Sequence, residues 1–165
     1  MNRFQRYLAY GALWGALAAT PLVWAQSFSA RVVTVSDGDT VWVTPLQSQR
    51  RMKLRLQGLD APERCQPGGD EATRALRELV LNQTVAVDVS GHDDYQRGLA
   101  RIRLQGKDVG AFMVSQGLAW SYRFKADPGP YVREEQAARQ AKRGVFAQAR
   151  PERPRDFRRR HGPCE

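Results

Sequence analysis

Arg55-Leu56-Gln57-Gly58-Leu59-Asp60-Ala61-Pro62-Glu63 begins as an alternating strand and ends in a turn limited by proline. Successive side chains of a strand point to opposite faces, so a charged residue at its end can address one pocket. Pro62 fixes its own φ and drives Ala61 toward extended backbone, which holds Glu63 rigidly just beyond the strand. One cation and two carboxylates thus fall within nine positions whose apolar neighbours demand burial. A second acidic turn, Ser36-Asp37-Gly38-Asp39-Thr40, lies upstream.

Working outward, Ser27–Val35 is rich in β-branched residues, Asp37-Gly38-Asp39 is a turn signal, and Thr40–Thr44 resumes a strand. Arg51–Leu59 alternates and completes a three-stranded meander. Asp70–Leu81 follows, with Ala72, Leu76, Leu79 and Val80 at helical spacing. Thr84–Val89 and Leu99–Leu104 read as strands four and five, Val109–Gln116 as a helix stopped by Gly117, and Tyr131–Arg143 as a third helix stopped by Gly144. Five short strands with a helix after the third fit an α+β fold: a five-stranded Greek-key β-barrel of the OB type with three helices. No internal repeat is present.

The 165 residues carry 26 Lys and Arg against 17 Asp and Glu. Residues 1–25 have the form of a secretory leader: Arg3 and Arg6, an uncharged apolar run from Leu8 to Val23, and small residues before a cut expected after Ala25. The alternative is an uncleaved membrane anchor, because the apolar run approaches the ~18-residue lower edge of a span. Removing residues 1–25 leaves 140 residues and a formal charge of +7. The excess is mostly arginine, whose fork matches phosphate oxygens at two points, and a basic surface favours a polyanionic partner.

The domain is expected over residues 26–148, followed by a Pro/Arg-rich tail, residues 149–165, in which only Phe157 and Cys164 offer ties to the rest. Export implies an oxidising compartment, so Cys65 and Cys164 are expected to pair, fixing the tail beside the turn that carries Glu63. A closed loop of about 100 residues contributes up to ~4.7 kcal/mol in the chain-entropy account. Two free thiols or an intermolecular bridge are the alternatives. No Cys/His cluster has zinc spacing.

Asp39 and Asp60 each adjoin a tight turn at a strand end. With a carbonyl they make a hard-oxygen set suited to Ca2+, with Asp37 as a further ligand or an orienting group. Arg55 and Arg97 are candidate phosphate clamps, and Glu63 is placed to accept a proton from water or to position that water. Each feature alone is ordinary: an Asp-Gly pair is a common hairpin turn, and most arginines of a basic chain are solvated.

Taken together, Val35-Ser36-Asp37-Gly38-Asp39-Thr40, Leu54-Arg55-Leu56 through Asp60-Ala61-Pro62-Glu63, Tyr95-Gln96-Arg97-Gly98-Leu99-Ala100 and Gln116-Gly117-Leu118-Ala119 resemble the staphylococcal nuclease (thermonuclease) family in order and spacing. The resemblance spans roughly Ser27 to Ala147. It implies a Ca2+-dependent phosphodiesterase acting on DNA and RNA, preferably single-stranded, as a monomer with no obligate protein partner. The protein would be exported, periplasmic or extracellular, and would meet a membrane only if the leader stays uncleaved. By position the resemblance puts Asp39, Asp60 and the main-chain oxygen of Ala61 on the metal, with Asp37 behind it. It puts Arg55 and Arg97 on the scissile phosphate, Glu63 on the water, and Tyr95 and Tyr122 beside the nucleotide. Three positions depart from the best-known member: Ala61 replaces Thr, Asp94 replaces Lys and Gln96 replaces Gly. A turn requiring positive φ at 96 would strain Gln96 and re-aim Arg97. The alternative is a non-catalytic OB barrel that binds nucleic acid or an envelope partner. The chain retains Arg55, Glu63 and Arg97, which such a module would be expected to lose.

Overall fold

A computed structural model describes residues 26–162 and 164. The expected leader, residues 1–25, lies outside them. The first three strands are β1 (Gln26–Val35), β2 (Thr40–Pro45) and β3 (Met52–Leu56), followed by the two-residue β4 (Leu59–Asp60) and α1 (Gly69–Val80). Then come β5 (Thr84–His92), β6 (Gly98–Leu104), β7 (Lys107–Asp108) and α2 (Val109–Ser115). β8 (Trp120–Ser121), α3 (Val132–Gln140), a 3-10 turn (Gly144–Ala147) and α4 (Pro154–His161) complete the chain.

The sheet runs β3-β2-β1-β5-β6-β7 and closes on itself through a parallel pairing of β3 with β6, Leu54 opposite Gly98 and Leu56 opposite Ala100. The five long strands therefore form the expected closed barrel, and the fold is α+β. β1 serves two neighbours because it bends: its register to β2 shifts between Val32 and Thr34, and a bulge increases local twist. Val32, Val41, Val43, Leu54, Val87 and Ile102 fill the interior. One end is sealed by the stripe of α1, in which Ala72, Leu76 and Val80 are buried and Leu79 is half-buried at its margin.

Two departures from the sequence reading position the cleft. The third strand is not continuous to Leu59. It breaks at Gly58, which takes φ +84° and packs against Pro130 and Tyr131 where a side chain would collide. Leu59–Asp60 then restarts as β4, paired with β8, Asp60 opposite Trp120. The tail is not a bare extension either. It forms a fourth helix, α4, which buries Phe157 and stacks it on His161 at 4.5 Å. Among the described residues, no helix is long and apolar enough to cross a membrane.

Candidate active site

The two acidic turns meet. Gly38 makes this possible: a Cβ there would lie 2.8 Å from the Ala61 side chain and 2.9 Å from that of Ala72. The Asp37-Gly38-Asp39 turn is thus pressed directly onto the segment following Asp60. Asp37 shapes the turn from inside, its Oδ1 accepting the Asp39 amide at 3.0 Å. Asp39 and Asp60 are only 4% and 5% exposed; Asp39 lines one open cleft of about 1140 Å³ along with Asp37, Arg55, Ala61, Glu63, Tyr95, Arg97, Tyr122 and Arg158, while Asp60 lies behind its wall, paired with Arg55 and Arg158.

Arg55 sits between the carboxylates. One Nη donates to Asp39 Oδ1 at 2.9 Å and the other to Asp60 Oδ1 at 2.9 Å. The Ala61 amide approaches Asp39 Oδ2 at 3.4 Å, so the main chain at 61 lies beside the carboxylates. Burial pushes the Asp39 carboxyl up to about 7; Arg55 opposes this, and the Asp37 and Asp60 carboxylates reinforce it. Burial also works against the charge on Arg55, but Asp39 and Asp60 outweigh it and hold the guanidinium above its usual value.

Arg97 joins from the turn before β6. Its Nε pairs with Asp93 Oδ2 at 2.7 Å, its Nη1 reaches Thr40 Oγ1 at 3.5 Å, and its guanidinium lies 5.3 Å from the Tyr95 ring centroid. Thr40 in turn donates to Asp39 Oδ1 at 2.9 Å, linking Arg97 to the carboxylates through one hydroxyl. Gln96 has φ +61°, the left-handed backbone for which glycine is suited. Arg97 nevertheless points into the cleft. Asp93 does this work by accepting the Tyr95 and Arg97 amides as well as the guanidinium. Its partial burial opposes ionisation, but these donors hold its carboxyl below the usual range. Tyr95 is 81% exposed at the rim and Tyr122 lies half-exposed opposite, its amide bound to the Gly58 carbonyl at 2.8 Å.

The Pro62 turn presents Glu63 as expected. Its amide donates to Gln66 Oε1 at 3.2 Å, while the Gln66 amide returns a bond to the Glu63 carbonyl at 2.8 Å. Cys65 and Cys164 are bonded, with Cα atoms 5.8 Å apart. The bridge and α4 bring in a residue absent from the sequence reading: Arg158. Its Nη1 donates to Glu63 Oε1 at 2.6 Å, and its two Nη atoms reach the two oxygens of Asp60 at 3.2 and 3.3 Å. Thr40, Gln66 and Asp93 were likewise not singled out. The QRG turn gave a signal for Asp93, four residues before Arg97, but nothing local marked Arg158 among the arginines of the tail.

Residues 53–148 match the family described as staphylococcal nuclease homologue. The chain belongs to this family. Among its relatives, an uncharacterized endonuclease of Escherichia coli O157:H7 is 39% identical over 133 residues, covering 79% of this chain and 84% of that protein. A protein of Shigella flexneri called micrococcal nuclease is 31% identical over 167 residues, 92% of this chain and 94% of its own length. An Escherichia coli protein called ParB is 35% identical over 168 residues and covers 92% and 93%. In this staphylococcal nuclease homologue the matched span includes Arg55, Asp60, Glu63 and Arg97 but ends before α4.

The donor set fits a hard cation. Two buried carboxylates converge with a main-chain segment, burial and the neighbouring acids raise the Asp39 carboxyl, and an open cleft leaves room for water. Among the described residues, no group of three or more His, Cys, Asp or Glu side chains is placed to enclose a metal. Asp39 and Asp60 would therefore be completed by main-chain oxygen and water, as Ca2+ allows.

Proposed function

We propose that this chain is an exported, Ca2+-dependent nuclease that hydrolyses phosphodiester bonds of DNA and RNA with little sequence specificity and prefers single strands. The observation carrying this reading is the convergence of Arg55, Asp39 and Glu63 on one open cleft rimmed by Arg97 and exposed tyrosines, with Asp60 paired to Arg55 just behind it. Asp39, Asp60 and the Ala61 carbonyl would hold the cation, with Asp37 fixing the turn that aims Asp39. When bound, the cation would polarise a phosphoryl oxygen and neutralise charge that builds on phosphorus.

The remaining work falls to side chains of the chain itself. Arg55 releases the carboxylates as a phosphate enters and offers its fork to the non-bridging oxygens. Arg97, held by Asp93, reaches the same group from the turn before β6, the strand paired with that of Arg55. Glu63 takes the proton from an attacking water or orients it. Tyr95 and Tyr122 give faces on which unpaired bases stack, which favours single strands. The disulfide supports an exported protein, since such bridges persist in oxidising compartments.

The test uses the full chain produced with its own leader and purified oxidised. Single-stranded DNA is expected to be cut with Ca2+ and left intact after chelation. N-terminal sequencing is expected to start at Gln26. Cleavage that ignores the chelator, or that survives Glu63→Ala unchanged, would overturn the mechanism.

A further inference from the structure

Arg158 is a cation already seated where the proposed metal centre needs one. It touches both oxygens of Asp60 and the nearer oxygen of Glu63, a proposed metal ligand and the proposed water-activating group. A guanidinium on Asp60 and a divalent cation on Asp60 make competing demands on the same lone pairs. The Glu63 oxygen engaged by Arg158 is also not free to hold a water.

Nothing in the barrel supplies Arg158. It comes from α4, and three ties hold the tail that carries it: the Cys65–Cys164 bridge, buried Phe157, and the Gln66 side-chain amide donating to the Glu152 carbonyl at 2.7 Å, with Glu152 in turn paired to Arg160 of α4. The bridge joins the two partners' own segments, because Cys65 lies two residues after Glu63 and Cys164 six after Arg158. So short a tether keeps the guanidinium at an effective concentration of order millimolar. The Arg158 side chain remains 36% exposed and Cys65 is exposed, so the arm can swing out and the bridge is open to a reductant.

We infer that Arg158 is a disulfide-tethered counter-ion that occupies Asp60 and Glu63 in the cation-free protein and must withdraw for a divalent cation to bind. The tail thereby sets the cation affinity of the site, and opening the Cys65–Cys164 bridge raises it. The inference rests on the cation site proposed above.

Ca2+ is titrated calorimetrically into the full oxidised protein, Arg158→Gln, Arg158→Lys, Cys164→Ser and Asp60→Asn. Removing one partly exposed ion-pair partner is expected to tighten Ca2+ binding about five- to tenfold in Arg158→Gln. Arg158→Lys, which keeps the charge but not the fork, falls between it and the parent. Cys164→Ser shifts in the same direction, as does the parent after treatment with a dithiol, which gives up two electrons and two protons to leave two protein thiols. Cleavage at limiting Ca2+ follows the same order. The dithiol-treated parent carries the test if Arg158→Gln does not fold. Unchanged or weaker binding in Arg158→Gln and the reduced parent, with Asp60→Asn silent, overturns the inference alone. No Ca2+ binding in any form overturns the cation site and the inference with it.

Discussion

Two carboxylate clusters in this protein look alike in composition and differ in purpose. Around Glu135, 1% exposed on α3, one carboxylate is shared by Arg123 at 2.8 Å and Arg139 at 2.8 Å and accepts the Ser121 amide at 2.9 Å. Donors outnumber the single acid, and the cluster locks α3 to the segment leading to Tyr122. In the cleft, Asp39, Asp60 and Glu63 share Arg55 and Arg158, so acids outnumber guanidiniums, and burial, reinforced by Asp37 and Asp60 against Arg55, raises Asp39 to about 7. A fully partnered buried acid makes structure. A buried surplus of acids beside an open cleft is the arrangement on which the proposed cation site rests.

The largest expected effect separates the two by readout. Glu63→Ala should slow DNA cleavage by about 10²- to 10⁴-fold, the usual range for a positioned proton acceptor, with a melting midpoint near the parent's. Glu135→Ala should do the converse. It orphans the Ser121 amide and breaks a buried ion cluster, costing about 2–3 kcal/mol in denaturant melts, while the cleavage rate stays near parental at temperatures where the protein remains folded.

The disulfide concerns only the cleft cluster, since its tether ends beside Glu63. Reducing it should lower global stability by about 2–4 kcal/mol in a denaturant titration.

Acidity gives a third contrast. The Asp39 carboxyl is raised from the ordinary carboxylate range to about 7, so the cation-free fold binds that proton more tightly than the unfolded chain. Its contribution to stability is complete in acid, below the ordinary range, and disappears as pH rises through about 7. A cation requires the ionised form. Its affinity should therefore climb with pH, by up to about tenfold per unit below the midpoint, and level off above it. In thermal melts, Ca2+ should raise the midpoint more at pH 8 than at pH 5; an equal shift at both would contradict the role given to Asp39.

The smallest effect tests the arm that aims Arg97. Gln96 sits at φ +61°, so Gln96→Gly should relieve at most about 1 kcal/mol of backbone strain, seen as a slightly higher melting midpoint.

What was legible in the sequence was local. The Asp37-Gly38-Asp39 turn, the Ala61-Pro62-Glu63 turn and the turn before Arg97 each announce themselves in a few residues, and barrel closure brings them together. The helical stripe of α1 buried Ala72, Leu76 and Val80, three of the four residues its period assigned, and half-buried Leu79. Gln96 was legible too, because a residue standing where glycine is usual implies a positive φ.

The break at Gly58 was harder to read, since its cause is Pro130 and Tyr131 far along the chain. Glu134 and Glu135 are chemically alike in sequence, and only the docking of β8 decides which is buried. Arg158 is the extreme case. It meets Glu63 across 95 positions, in a tail with several equivalent arginines, and only the bridge and Phe157 select it. Periodicity and turn chemistry carry no information about such a contact.

The central claim, that the acid-rich cleft rather than the Glu135 cluster performs Ca2+-dependent hydrolysis, is met most directly by single-turnover cleavage of single-stranded DNA. The parent, Glu63→Gln and Glu135→Gln would be compared across a Ca2+ titration at a temperature where all three are folded. The account predicts Ca2+-dependent cleavage by the parent and Glu135→Gln, with Glu63→Gln slowed by at least about a hundredfold. Parental rates in Glu63→Gln, or cleavage by the parent without Ca2+, would contradict it.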